Sequence, residues 1–262
     1  MLCDFAKEEA DIMKIVDLTF AYDTKKIVSN ISFEIQTGSI TAVLGANGSG
    51  KSTLFALLTK NLAQDAGSIY LEGRELSEIK LREFAKKVAV VHQQNVAEDS
   101  ITVENLVSFG RLPYAKRLRG KSEEDEEVIR WAILVTGLEE CRNSEIGKLS
   151  GGQRQRAFIA MALAQKTKIL LLDEPTTFLD IRYQIEILEL IKSLNQEYGI
   201  TILMILHDVN QALAYSHNIL GLRNGKLEVQ GKAKEVITEE SLHRLYGIRL
   251  KIGEIDGNRI VY

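Results

Sequence analysis

An α/β fold, with buried strands alternating with helices, is the class this sequence predicts, and three observations carry the prediction. First, the apolar run Ile40-Thr41-Ala42-Val43-Leu44 leads directly into Gly45-Ala46-Asn47-Gly48-Ser49-Gly50-Lys51-Ser52-Thr53, a strand entering a glycine-rich loop that opens a helix. Second, the continuously apolar run Ile169-Leu170-Leu171-Leu172 ends on Asp173-Glu174. That is the pattern of a strand covered on both faces whose carboxyl end meets a ligand. Third, strand-like and helix-like segments follow one another in turn beyond Gln165. The first motif also specifies a chemistry. Glycines at 45, 48 and 50 let the backbone curl until its N–H groups converge on a concavity suited to phosphate oxygens. The helix beginning near Lys51 adds the positive end of its dipole. Lys51 brings a charge to the outer phosphates and the Ser52 hydroxyl a ligand for Mg²⁺, while Asn47, Ser49 and Thr53 complete the loop. The chain is expected to bind a nucleoside triphosphate.

Length and composition narrow the class further. A chain of 262 residues accommodates one large α/β domain, or a core with a smaller appended subdomain. With 45 % apolar and 26 % charged residues the composition is globular. A net charge of −3 leaves no basic footprint, so no nucleic acid partner is expected. No apolar stretch approaches the roughly 18 residues of a membrane span, the longest being strand-sized runs such as 200–206. The N-terminus lacks the charged-then-apolar pattern of a secretion signal, and Cys3 and Cys141 are too few for a disulfide framework or a zinc site. A reducing cytosol is the expected setting. Residues 1–11 are polar and acidic, and strand-like residues begin at Met13. Residues 1–12 are therefore expected to form a flexible extension, with Met1 and Met13 both open as the start.

Taken in order, residues 14–20, 31–35 and 40–44 read as short strands, separated by polar breaks at 22–26 and 36–39. A helix is expected from Lys51 to about Asn61, with Leu54, Leu57 and Leu58 on one face, followed by strands at 67–72 and 88–91. From about 95 to 165 the pattern turns helical and more charged, a helical insertion into the core. Within it Ser122 and Asp125 resemble a capping box, and acidic residues fill the first helical turn. Arg111, Lys116, Arg117 and Arg119 lie just upstream and make this a charge-segregated, solvated loop. Strand 169–172, helix 182–198, strand 201–206, helix 210–216 and strand 219–223 follow, and Asn224-Gly225 turns the chain into a hairpin strand over 226–230.

Two further sites complete the constellation. Asp173 is placed to hold Mg²⁺, directly or through water, and Glu174 is a candidate general base for an attacking water. Leu149-Ser150-Gly151-Gly152-Gln153 precedes a helix-like run at 154–165. It presents a hydroxyl, bare backbone N–H groups and a helix dipole, a second anion site in one chain.

With these residues the chain resembles, from about residue 13 onward, the ATP-binding subunit of an ABC (ATP-binding cassette) transporter. The resemblance implies an α/β P-loop NTPase core with an N-terminal antiparallel β-subdomain and an inserted α-helical subdomain. It also implies ATP and Mg²⁺ as ligands, and ATP hydrolysis. Ser150, Gly151, Gly152 and Gln153 would address the nucleotide held by a partner subunit, so that two chains pair head-to-tail around two ATP molecules in a two-fold dimer. On the same resemblance Tyr22 stacks on adenine. Gln93, or its neighbour Gln94, reaches Mg²⁺ and links to the membrane subunits. Asp180, in Thr177-Phe178-Leu179-Asp180, communicates across the dimer, and His207 contacts the γ-phosphate and orients the catalytic water. Ala46 and His92 depart from the commonest residues at their positions, and neither change removes a ligand.

The stretch Thr102-Val103-Glu104-Asn105-Leu106-Val107-Ser108-Phe109-Gly110-Arg111-Leu112-Pro113-Tyr114 resembles that of ATPases powering uptake of iron-siderophore, haem and cobalamin complexes. The short C-terminal region, about 231–262, resembles the same group. Iron-siderophore import is the leading expectation, with a haem or cobalamin importer as the alternative. An exporter half usually fuses membrane helices to its ATPase, and a non-transport ABC ATPase such as a cluster-assembly factor remains open on length. The implied partners are two polytopic permease subunits and an extracytoplasmic solute-binding protein, with the ATPase peripheral on the cytoplasmic face of the cell membrane. A groove near Gln93 and 103–114 is the expected docking surface, with Arg111 a candidate exposed contact.

Overall fold

The computed structural model describes residues 11–115 and 122–262. The expected extension over 1–12 lies outside the described residues except at Asp11 and Ile12, which already belong to a strand. Lys116, Arg117 and Arg119 of the expected basic loop also lie outside them. Two compact units form: Met1–Ile79 with Ala212–Tyr262, and Lys80–Gln211. The second is larger than the expected 95–165 insertion, because three strands group with the helices.

In the first unit, β1 (Asp11–Tyr22) pairs antiparallel with β2 (Lys25–Gln36). Both outrun their expected lengths, because the break around Tyr22 closes in a tight turn with Asp23 at φ 52°, a left-handed conformation that Asp tolerates. Along β2, Ile31, Phe33 and Ile35 are buried while Asn30, Ser32 and Glu34 face out, the period-two pattern of a one-sided sheet. The strand β3 (Ile40–Leu44) is buried throughout and delivers the chain to α1 (Lys51–Leu58). This helix stops short of the expected Asn61, since Lys60 turns to φ 61°. Next come β4 (Ala66–Leu71) and β5 (Arg74–Glu75), which complete an antiparallel sheet of order β2-β1-β4-β5.

The second unit runs through α2 (Leu81–Phe84), β6 (Val88–Val91), α3 (Val103–Ser108), α4 (Glu123–Val135), α5 (Gly151–Leu163), β7 (Ile169–Leu172), α6 (Ile181–Tyr198) and β8 (Thr201–Ile205). Parallel pairing joins β6 to β7 and β7 to β8, with Val91 opposite Leu172 and Leu172 opposite Met204. This shared register brings the segments after three separate strands out at one carboxyl edge. Ligands of α/β folds gather at such an edge.

A correction falls in the helical part of this unit. Arg111 is only 7 % exposed and presents no docking contact. Its Nε donates to Asp125 Oδ1 at 2.7 Å, its Nη1 donates to the Ala164 carbonyl at 3.0 Å, and the guanidinium lies 4.0 Å from the Tyr114 ring centroid. Interior partners absorb the charge that looked solvated in sequence. The expected capping box is present: Ser122 Oγ accepts from Asp125 N–H, and Ser122 N–H donates to Asp125 Oδ2 at 3.0 Å. Burial alone would raise the Asp125 carboxyl, but the bonds from Ser122 N–H, Arg111 and the Ser122 hydroxyl hold it below the ordinary 3.8.

The helix α7 (Val209–Tyr215) returns the chain to the first unit, which ends with β9 (Asn218–Arg223), β10 (Lys226–Lys232), α8 (Ala233–Val236), α9 (Glu239–Tyr246), β11 (Ile252–Ile255) and β12 (Asn258–Val261). Parallel pairing joins β9 to β3, and the β9–β10 turn has Asn224 at φ 49° and Gly225 at φ 74°, the conformation Asn-Gly favours in two-residue hairpins. Among the described residues no helix is long and apolar enough to cross a membrane.

Candidate nucleotide site

The residues singled out in sequence fall into two groups, one in each compact unit. In the first unit the loop after β3 is shaped by glycine. A Cβ on Gly45 (φ 150°) would sit 2.3 Å from the Leu222 carbonyl oxygen, and one on Gly50 (φ 106°) 2.8 Å from that of Ile27. Both close approaches exclude any side chain, and the positive φ values favour glycine on their own. Gly225 was legible as a turn residue but not as a brace. Its N–H donates to the Ser49 carbonyl and its own carbonyl accepts from Ser29 N–H, so the hairpin holds the loop from behind.

Lys51 is 5 % exposed, and its Nζ donates to the carbonyls of Gly45 at 2.8 Å and Ala46 at 3.1 Å. The ammonium thus lies across the concavity formed by its own loop. Ser49 Oγ is buried with no hydrogen-bond partner among the described residues. A buried hydroxyl left so is costly unless a ligand supplies the partner, and phosphate oxygens are such a ligand. Asn47, Gly48 and Ser52 are exposed, and Thr53 is half-buried. Tyr22, at the end of β1, is exposed and meets Phe20 edge-on with ring centroids 4.9 Å apart, leaving it a ring face open for stacking.

In the second unit the carboxyl edge of β6–β8 gathers side chains from distant parts of the chain. Asp173 N–H donates to the Val91 carbonyl, continuing the ladder one residue beyond β7. Glu174 turns to φ 49°, and that turn brings its carboxylate to three partners. Gln93 Nε2 donates to Oε2 at 2.6 Å, Thr177 Oγ1 donates to the same oxygen at 3.1 Å, and His207 Nε2 lies 2.6 Å from Oε1. At that separation the imidazole and the carboxylate are hydrogen-bonded. The glutamine bonded to Glu174 is Gln93, while Gln94 lines a neighbouring cleft with His92. Sequence reasoning did not find Thr177, since a threonine three residues past an acid carries no signal by itself.

The same unit holds the second anion motif. Ser150 caps α5 in a reciprocal box: its Oγ accepts from Gln153 N–H at 3.3 Å, and its N–H donates to Gln153 Oε1 at 3.0 Å. A Cβ on Gly152 would meet the Tyr183 ring at 2.5 Å, and one on Gly151 would touch Leu179 at 3.4 Å. The helix start is therefore seated against the segment 179–183. There Asp180 caps α6, its Oδ1 accepting from Tyr183 N–H at 3.1 Å. Among the described residues no three His, Cys, Asp or Glu side chains converge as a metal cage. A Mg²⁺ held mostly by phosphates and water needs only one or two protein oxygens, and each unit carries side chains of that kind, Ser52 in the first and Asp173 in the second.

A glycine-shaped phosphate loop, a strand ending in paired acids and a capped second anion motif together define an ATP-binding cassette. The chain belongs to the ABC transporter family, whose sequence profile matches residues 28–177, and it is an ATP-hydrolysing ATPase of that family. Membership carries binding of ATP with Mg²⁺. It is 44 % identical to the petrobactin import ATP-binding protein FpuC of Bacillus anthracis over 89 % of this chain and 86 % of that one. It is 42 % identical to the ferric enterobactin transport ATP-binding protein FepC of Escherichia coli K12 over 90 % and 87 %. Among solved structures, an inward-facing transporter described as of the metal-chelate type superposes with a TM-score of 0.84 at 27 % identity, covering 96 % of both chains. The P-loop NTPase core, the N-terminal antiparallel sheet and the inserted helical subdomain are shared with it.

Proposed function

We propose that this chain energises an importer of iron-siderophore complexes by binding and hydrolysing ATP. The observation that carries the catalytic reading is the Glu174 carboxylate held by Gln93, Thr177 and His207 at the end of a buried strand. That arrangement suits a base that polarises a water. His207 orients that water and senses the γ-phosphate. Lys51, with the loop Gly45, Asn47, Gly48, Ser49, Gly50 and Thr53, binds the phosphates, and Tyr22 stacks on the adenine. Ser52, Asp173 and Gln93 would hold Mg²⁺, which when bound would supply positive charge against the phosphates. Ser150, Gly151, Gly152 and Gln153, with Asp180, address the nucleotide of a second copy, giving a homodimer.

The partners in this reading are two permease subunits and a solute-binding protein, with the chain peripheral on the cytoplasmic face of the membrane. Residues 95–165 act as the helical subdomain, and about 231–262 as a short C-terminal region. A cleft of about 400 Å³ lined by His92, Gln94, Val96, Phe109 and Phe158 is the candidate seat for the permease. Val96 is 90 % exposed and apolar there, as expected of a surface that a partner covers. The siderophore assignment draws on the import proteins to which the chain is similar. Its test is uptake of iron-55 as a ferric siderophore in a strain lacking the gene. Uptake is expected to collapse and to be restored by the wild-type gene but not by Glu174→Gln. Normal siderophore uptake with lost haem or cobalamin uptake would overturn the substrate and leave the ATPase standing.

A further inference from the structure

The second unit contains a hydrogen-bonded relay that the proposed catalytic roles do not use. Asp208, the residue after His207, fixes the start of α7 by accepting from the N–H groups of Asn210 at 2.7 Å and Gln211 at 3.1 Å. The Gln211 side chain then reaches two ways. Its Oε1 accepts from the buried Thr176 hydroxyl at 3.3 Å, and its Nε2 donates to Gln184 Oε1 at 2.7 Å. Gln184 Nε2 in turn donates to the Leu179 carbonyl at 2.9 Å. A carboxamide has one donor end and one acceptor end. The chain Thr176 to Gln211 to Gln184 to Leu179 therefore has a single polarity, in which each group fixes the orientation of the next. It ties together three segments: α7 after His207, the first turn of α6, and the single loop that runs from Glu174 to Asp180.

We propose that Gln184 and Gln211 are positioning residues for ATP hydrolysis, an amide bridge that holds the His207 segment and the 176–180 loop in one arrangement so that they move as a unit. The proposal rests on the roles given above to Glu174, His207 and Asp180. Neither glutamine touches a reacting atom in this account. Networks of this kind transmit orientation cooperatively, and removing one link forfeits the effect of the others. The two substitutions should then be strongly non-additive.

Polarity makes the test sharp. In Gln211→Glu the position offers only acceptors. Gln184 can then satisfy it only by rotating its amide, which turns its oxygen onto the Leu179 carbonyl and breaks that link. Adding Gln184→Lys supplies donors toward both the new carboxylate and the Leu179 carbonyl, so the bond to Leu179 is regained while the bond between 211 and 184 is kept with its direction reversed. Steady-state ATPase of the purified full chain is the readout, with the melting temperature of each variant alongside. Gln184→Ala, Gln211→Ala and their double variant are each expected to lose about tenfold in kcat, the double no more than either single, with KM for ATP within twofold of wild type. Gln211→Glu should show the same loss, and Gln211→Glu with Gln184→Lys should recover most of it. Alanine is a strong helix former, so Gln184→Ala keeps its place in α6. Unchanged kcat in the single variants, multiplying losses in the double, or no recovery in the charged pair would each overturn the bridge. A wild-type chain without ATPase activity would instead overturn the functional reading beneath it.

Discussion

The phosphate loop of the first unit and the Glu174 cluster of the second are built in opposite ways. The loop is nine consecutive residues, Gly45 to Thr53. Its shape is set by backbone, by positive φ at Gly45, Gly48 and Gly50 and by carbonyls pressed to within a Cβ's reach. The cluster is made of side chains from positions 93, 174, 177 and 207, which only the parallel register of β6, β7 and β8 assembles. One site is contiguous and rigid by exclusion of side chains. The other is dispersed and depends on hydrogen bonds among them. Binding should follow the first and turnover the second.

The largest effect separates the two sites outright. Glu174→Gln is expected to keep ATP affinity within a fewfold of wild type while lowering kcat by about 10³, the range for loss of a general base. Lys51→Ala should instead weaken ATP binding by about 100-fold, the worth of a charge-assisted contact. Equilibrium binding of a fluorescent ATP analogue and phosphate release measure the two quantities. Equal losses of affinity in both variants would break the division.

A smaller effect lies inside the loop. Gly45→Ala forces a Cβ onto the Leu222 carbonyl and should cost about 3 kcal/mol of stability through backbone displacement. Gly48→Ala, with φ 77° but no atom within 4 Å of its Cβ, should cost about 1 kcal/mol from the left-handed backbone alone. Urea denaturation of the two variants ranks steric exclusion against conformational cost, and near-equal values would show that the close carbonyl yields.

The smallest effect is a pH dependence outside both sites. Asp125 has its carboxyl held below 3.8 in the folded chain by Ser122 and Arg111. A depressed folded value means that the contribution is full above the unfolded value, near 3.8, and is lost as pH falls through the lower folded one. Asp125→Asn should therefore destabilise the chain at pH 7 by about 1 kcal/mol, and the gap from wild type should shrink below about pH 4. Chemical denaturation at both pH values reads this, and a gap that widens on acidification would assign the stabilisation to another group.

Much of this was legible in the residues because the responsible physics is local. Glycine at positive φ, a serine or threonine that caps a helix, an Asn-Gly hairpin and an apolar run ending in acids each act over a few positions, so their signatures survive in one dimension. The phosphate loop, the β7 edge, the caps at Ser122 and Ser150 and the β9–β10 turn were all read this way. Errors arose where a side chain's surroundings come from elsewhere in the chain. Arg111, grouped in sequence with basic neighbours, is drawn inward because Asp125 and the Ala164 carbonyl offer acceptors that only folding brings together. Helix and strand ends shifted for a similar reason, since β2 gains four paired positions from its contact with β1 that its own polar residues do not announce.

The sequence by itself determined that glycines shape the loop entering α1 and that an acid pair stands at the end of a buried strand, since both follow from residue type and spacing. Tertiary structure alone decided that Gln93 rather than Gln94 bonds to Glu174, that Thr177 and His207 share its carboxylate, and that Gln184 and Gln211 join in one polar relay. These are contacts between segments tens of residues apart, fixed by strand register and helix packing. No local preference of the chain encodes which of two adjacent amides will face a carboxylate.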